Sequence, residues 1–343
     1  MNALHQKCAV CGRFTTEFNY SVLSCNSCKI FFRRLIVRTV PIKKCFRGER
    51  CFEKTPYIFK CTSCRFQKCL YVGMTLPSYL LVLEQNKEQR LAITIDCVRN
   101  THNKRMDSLF NFFVTEMNPN VDDIVELNKI TYTKRDEHIR MDFQTWAFHS
   151  CVTTIDFMKQ FPFVNLLRST DQMILLKESY VKLGALISAT RAYSSKKQCI
   201  SFPDGTDCLP KTQWTVPKIS PNLENRIRCR VIDKLRELNI QNDEFYLLSV
   251  LLFCNPAITN LSENGQLLLT SYQKMYSSAL LYYCLLTYQK SGPSRFSELL
   301  GLFTLLGQHY DDIIHYYVLM QLNQSEVELK KLVKDGIEAA YKS

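Results

Sequence analysis

Glycine and proline are scarce, 10 and 11 in 343 residues, which excludes a collagen-like or low-complexity chain. No apolar run reaches the roughly 18 residues that read as a membrane span. The segment "EFYLLSVLLF" (244–253) is too short for that and suits a buried helix. The N-terminal "MNALHQKC" has no apolar stretch of the kind a secretory signal needs, so an intracellular protein is expected. There is no Gly-rich phosphate loop and no His-Glu-x-x-His, and the six histidines form no ligand cluster. Acidic residues are nearly missing from the first 74 positions: three (Glu17, Glu49, Glu53) against fourteen Lys and Arg. Of a net charge of +12, +11 therefore lies in this head, and the rest of the chain is almost neutral. A basic head on a neutral body expects an anionic partner at the head. At this length, with 46% hydrophobic residues, the chain has room for two domains and a large core in one of them.

Cysteine is abundant, and its placement is informative. Nine of sixteen lie between Cys8 and Cys69. Cys8-x2-Cys11, thirteen residues and Cys25-x2-Cys28 make one set of four. Cys45-x5-Cys51, nine residues and Cys61-x2-Cys64 make a second. Four thiolates in tetrahedral array suit zinc, and with no open coordination position the two Zn2+ sites are structural. Eight merely buried thiols would leave the head too little core to fold. Two four-thiolate zinc centres of formal charge −2 still leave the head at +7. Cys69 reads as a packed thiol, and the seven later cysteines (Cys97, Cys151, Cys199, Cys208, Cys229, Cys254, Cys284) read as small core residues.

The segment "CNSCKIFFRR" opens a helix expected over 25–37. Helical spacing puts Cys28, Phe31, Phe32 and Leu35 on one side and Asn26, Lys29, Ile30, Arg33 and Arg34 on the other. The outward set suits a DNA major groove: Lys or Arg donates to guanine, Asn pairs with adenine, and an apolar side chain meets a thymine methyl. A second helix is expected from about Cys61. There Phe66 and Cys69 can pack behind the first helix, and Arg65 and Lys68 can reach phosphates.

With "CKIFFRR" and "CRFQKCLYVGM" between and after the eight ligands, the head resembles the DNA-binding domain of nuclear hormone receptors. The resemblance implies that Asn26, Ser27 and Ile30 choose the half-site and that Lys29 and Arg34 contact bases. It places Tyr20 and Arg33 near phosphate, and assigns dimer spacing to "FRGER" (46–50). Asn26, Ser27 and Ile30 match neither the steroid-receptor set nor the common Glu-Gly set, a departure that resembles the expanded nematode-type receptors.

The body also resembles this family, in its helical ligand-binding domain. The resemblance rests on "FMKQFPFVNLLRSTDQMILLK" (157–177), "DEFYLLSVLLFCNP" (243–256) and "SRFSELLGLFTLLGQHY" (294–310). It implies a three-layer all-α sandwich around an apolar pocket for a small lipophilic ligand. Lys159 and Asp335 are implied to clamp the two ends of a coregulator helix, and Arg191 to anchor an acidic ligand. In "LVKDGI" (332–337), Asp335 stands for the usual Glu and Gly336 for an apolar residue. "ELLGLFTLLGQHYDDIIHYYVLMQL" (298–322) carries an apolar stripe that reads as a core helix or a dimer face. Four prolines and a glycine make 201–222 a loop with room for a short hairpin.

The expected organisation is a zinc DNA-binding domain over 5–80, a hinge over 81–102 and a helical ligand-binding domain over 103–343. The expected function is that of a nuclear, non-enzymatic transcription factor. Its partners would be duplex DNA, coregulators, a small lipophilic ligand if it is not an orphan, and a homo- or heterodimer mate. Two alternatives stand beside this reading. One is a RING-type ubiquitin ligase, whose zinc ligands normally interleave and include His. The other is a zinc-stapled protein-interaction module that does not touch DNA.

Overall fold

A computed structural model describes residues 6–20, 22–36, 45, 51, 61–74, 87–113, 118–126, 130–136, 141–209, 219–323 and 328–342. The loop "FRGER" lies outside them. The chain forms two compact units. The first takes in Met1–Leu91 with Lys159–Gln172 and Cys254–Tyr276, and the second takes in Ala92–Met158, Met173–Phe253 and Ser277–Ser343.

In the head, strands β1 (Phe18–Asn19) and β2 (Val22–Leu23) pair antiparallel, Phe18 with Leu23 and Asn19 with Val22. This hairpin closes the thirteen-residue loop and returns the chain to Cys25. Helices α1 (Asn26–Ile36) and α2 (Thr62–Tyr71) follow the expected segments closely. No Gly or Pro interrupts either one. Cys28, Phe32 and Leu35 of α1 and Cys64, Phe66 and Cys69 of α2 are buried. The Phe32 and Phe66 rings stack at 5.8 Å, and Tyr20 closes on Phe32 at 5.1 Å. These three aromatic rings, with Val10, Val22, Leu35, Leu70 and Met74, belong to the small core of this head.

Helix α3 (Lys87–Asn111) begins inside the stretch expected as a hinge, so most of 81–102 is helical. Short pieces follow: β3 (Phe112–Phe113), α4 (Val121–Glu126) and β4 (Thr133–Lys134), with β3 and β4 paired. Then come α5 (Phe143–Lys159), α6 (Pro162–Leu166), α7 (Ser169–Ser194), α8 (Pro221–Glu237), α9 (Asn242–Phe253), α10 (Glu263–Tyr288), α11 (Gly292–Asn323) and α12 (Lys331–Lys342). Helix α8 starts where the sequence supplies both a cap and a stiff first residue. The Ser220 side chain accepts from the Asn222 N–H, and Pro221 occupies the first turn.

The second unit has a largely apolar interior. Leu299, Leu302 and Leu306 of α11 are buried completely or almost so. Further along, Tyr310, Tyr317 and Met320 join Leu223 and Ile227 of α8 and Ile337 of α12 in one apolar cluster. The stripe expected in 298–322 is thus core. Among the described residues of the expected loop, Ser201 pairs with Asp207 in an antiparallel bridge.

Candidate functional site

Each four-cysteine set converges. The Sγ atoms of Cys8, Cys11, Cys25 and Cys28, and those of Cys45, Cys51, Cys61 and Cys64, all lie within 4.8 Å of one another within their set. A tetrahedral four-thiolate zinc centre with bonds of about 2.3 Å needs sulfurs about 3.8 Å apart, so both sets fit the ion. The first pair is aimed by a turn in which the Gly12 N–H reaches the Cys8 carbonyl at 2.7 Å, with Gly12 at φ 70. That left-handed conformation suits a residue without Cβ. Cys25 is joined to α1 by Cys28 and Lys29 N–H bonds to its carbonyl. The sets are consecutive in sequence, not interleaved, and all eight ligands are cysteines, unlike the RING arrangement.

With its back buried, α1 turns Asn26, Ser27, Ile30, Arg33 and Arg34 outward, and Lys29 is half-buried beside them. Ile30 is 43% exposed, a branched apolar side chain left in the open amid polar neighbours. Ser27, Ile30 and Arg34 line a shallow groove together with Thr62 and Arg65.

Two residues expected at phosphate have internal partners. The Arg65 guanidinium lies 4.1 Å over the Phe31 ring and donates to the Ser27 carbonyl and to Cys28 Sγ, both at 3.3 Å. It bridges α2 to α1 and sets a positive charge against a zinc thiolate. The Tyr20 side chain is buried on Phe32. Neither role is visible in sequence: Arg65's depends on how α2 meets α1, and Tyr20's on how the hairpin packs on α1. Lys68 sits over Tyr71 at 4.9 Å, and Tyr71 is exposed.

The second unit holds a cavity of about 150 Å3, with walls from α5, α7, α8, α11 and α12. Ile227, Ile313, Tyr317 and Ile337 give it apolar surface. Its polar points include Thr154 and His309. His309 is 1% exposed, and burial lowers its pKa to about 4, so the ring is neutral at pH 7. Its Nδ1 has no partner among the described residues. Arg105 in α3, a residue that no sequence pattern singles out, is 4% exposed and donates to Thr154 Oγ1 at 2.9 Å. Burial, then the nearby Arg191 charge, pull the Arg105 pKa down to about 10.

Arg191 is not among the described residues lining this cavity. Its guanidinium donates to the Ser201 carbonyl, and burial lowers its pKa.

Helix α12 is fastened by side chains from several elements. Asn118 accepts from the Lys331 N–H at 2.9 Å, the Tyr180 hydroxyl donates to the Leu332 carbonyl, and the Tyr310 hydroxyl donates to the Gly336 carbonyl at 2.5 Å. Asp335 accepts from the Val121 N–H at 2.7 Å, at the start of α4, and burial raises its pKa. Lys159 is half-buried at the end of α5.

Comparison with known proteins agrees with this geometry. Residues 6–76 match the family described as a double treble clef zinc finger of C4 type, and residues 130–323 match the ligand-binding domain of nuclear hormone receptor. Among curated relatives, nuclear hormone receptor family member nhr-27 of Caenorhabditis elegans is 35% identical over 98% of this chain and 94% of its own. Family members nhr-9 and nhr-197 of the same organism are 32% and 31% identical. Nhr-9 aligns over 97% of both chains, and nhr-197 over 96% of this chain and 97% of its own. The chain belongs to the nuclear hormone receptor family. It is accordingly a DNA-binding transcription factor of the ligand-regulated type, with two four-cysteine zinc sites in its DNA-binding domain. Members of this family are generally not enzymes. Among the described residues, no helix is long and apolar enough to cross a membrane.

Proposed function

We propose that this receptor acts in the nucleus and reads duplex DNA with the outward face of α1. Asn26, Ser27, Lys29, Ile30 and Arg34 meet base edges, and Arg33 and Lys68 meet phosphates. The observation that carries the reading is the exposed polar face with one open isoleucine, on a helix joined to a zinc tetrad. A solvated surface has no need of the apolar residue, whereas a thymine methyl does. Selection of bound sequences from a random duplex pool tests this and reports half-site, spacing and dimerisation together. Asn26→Ala should relax base preference at one position. Arg33→Ala should weaken all sequences alike and lower the salt slope by about one. Binding that is indifferent to salt would instead support the protein-interaction alternative.

The cavity takes a small, largely apolar ligand. At about 150 Å3 it is below the usual range of roughly 300–1,000 Å3 for ligand sites, so a larger ligand must displace a wall. Helix α12 carries three of the lining residues, Val333, Gly336 and Ile337, and moving it would couple ligand to coregulator. Lys159 and Asp335 serve the coregulator clamp, for which Asp335 must leave the Val121 N–H. Because Asn118, Tyr180 and Tyr310 already hold α12, a second reading has support: a receptor whose last helix is placed without ligand. Coregulator-peptide binding by wild type and Lys159→Ala, with and without lipid extract, separates the two. A Lys159-dependent signal unchanged by extract favours the second.

A further inference from the structure

Of the seven cysteines beyond the head, Cys254 and Cys284 are buried as expected, but Cys199 is exposed. Its Sγ lies 3.3 Å from that of half-buried Cys229, thirty residues further along. That is as close as neighbouring sulfurs inside the zinc sets, 3.4 Å for Cys11 with Cys25 and 3.5 Å for Cys45 with Cys51. Yet among the described residues only those two sets gather the three or more ligands that would hold a metal. A sulfur pair without further ligands has different chemistry open to it.

The backbone keeps this pair together. The Ile200 N–H donates to the Arg228 carbonyl at 3.0 Å, which sets residues 199 and 229 side by side. On the other flank Arg236 donates to the Lys197 carbonyl at 2.6 Å. Asp207, across the Ser201 bridge, receives Arg228 at 3.0 and 3.1 Å. The turn after α7 is thus tied to α8 on both sides of Cys199. A disulfide of about 2.05 Å requires the sulfurs to close by little more than about 1 Å from their 3.3 Å separation.

We propose that Cys199 and Cys229 form a peroxide-responsive thiol pair that closes reversibly to a disulfide. The exposed Cys199, as thiolate, attacks the O–O bond of hydrogen peroxide. Its sulfur takes one oxygen and becomes a sulfenic acid, and the other oxygen leaves as water once protonated. The Cys229 sulfur then attacks the sulfenic sulfur, the S–S bond forms, and a second water leaves. Two thiols and one peroxide thus give one disulfide and two waters. Burial, with Cys199 beside it, raises the Cys229 pKa to about 11, so the exposed Cys199 rather than Cys229 meets the oxidant first. In a reducing compartment such a bond is transient, the usual form of a redox sensor. The consequence is local: residues 200, 201, 202, 208 and 209, which line the cavity, become covalently tethered to α8.

The test uses the full-length, zinc-loaded protein titrated with hydrogen peroxide, digested without reduction and mapped by mass spectrometry. A chromophoric chelator follows zinc, so that loss from the head is scored separately. The expected result is a Cys199–Cys229 cross-link that appears before zinc release and disappears with dithiothreitol. It should be lost completely in Cys199→Ser and in Cys229→Ser and be kept in Cys208→Ser. The oxidised wild type should melt a few degrees higher than the reduced form, and Cys229→Ser should show no such rise. Over-oxidation of Cys199 without a cross-link, a bond from Cys199 to Cys208, or a cross-link only after zinc has left would overturn the proposal. None of these readouts depends on which DNA or ligand the receptor binds.

Discussion

At Gly336, helix propensity and packing oppose each other. In an exposed helix, alanine would be favoured over glycine by about 1 kcal/mol. Here a Cβ would stand 2.6 Å from both the Tyr180 hydroxyl oxygen and Val181 Cγ2. The glycine lets α12 lie against α7. Gly336→Ala is therefore expected to destabilise, by about 1–3 kcal/mol, as an overpacked core does; thermal melting checks the sign. Arg65 is a second single-residue case. If its work is the bridge to Cys28 and Phe31, Arg65→Ala should speed zinc loss to a chelator in the absence of DNA. Arg65→Lys should fail to restore it, because an ammonium offers neither the fork nor the flat stacking face. A pure phosphate contact would change only DNA affinity and its salt slope.

Among elements, a buried ion pair joins α9 to α11. Glu244 has no exposed surface and Arg295 is 10% exposed. The guanidinium donates Nε to Oε1 at 2.8 Å, Nη2 to Oε2 at 2.7 Å and Nη1 to the Leu238 carbonyl at 2.7 Å. Every charged atom of the pair is satisfied, so losing one member leaves the other stranded. Glu244→Leu and Arg295→Met are each expected to cost about 3–5 kcal/mol, and the two together much less than the sum. A double-mutant cycle in urea measures this. The exposed pairs Arg236–Asp233 and Lys234–Glu237 on α8 should contribute no more than about 1 kcal/mol each.

For the whole molecule, two buried histidines tie stability to pH. His149 and His309 are both about 1% exposed, and burial holds each near a pKa of about 4 against an ordinary 6.5. Both must be neutral to stay inside. The unfolded chain binds their protons first, so stability is whole above about pH 6.5 and falls as pH drops toward 4. The slope is up to about 1.4 kcal/mol per pH unit for each histidine. Urea melts from pH 7 to pH 4.5 check this, and replacing His309 with Gln should flatten the curve. Chelating zinc should instead abolish duplex binding and unfold α1 and α2, while the cooperative melt of the ligand-binding half persists.

The head was legible in sequence because its geometry is local. Cysteine spacing sets both metal sites, and helical period alone sorts α1 into a buried and an open face, as observed at Cys28, Phe32, Leu35, Asn26, Arg33 and Arg34. The apolar stripe of α11 was readable for the same reason. Beyond the packing of Phe66 and Cys69 behind α1, the sequence left open the roles made by distant segments meeting. Arg105 under Thr154, Arg65 on Cys28, Gly336 against Tyr180, Asp335 on Val121 and Cys199 beside Cys229 join residues that no periodicity links. Side-chain type and spacing decide local structure and metal chemistry, whereas burial and partner choice arise only when elements pack. For that reason a surface cysteine that reads in sequence as one more core thiol is identified by the tertiary structure alone.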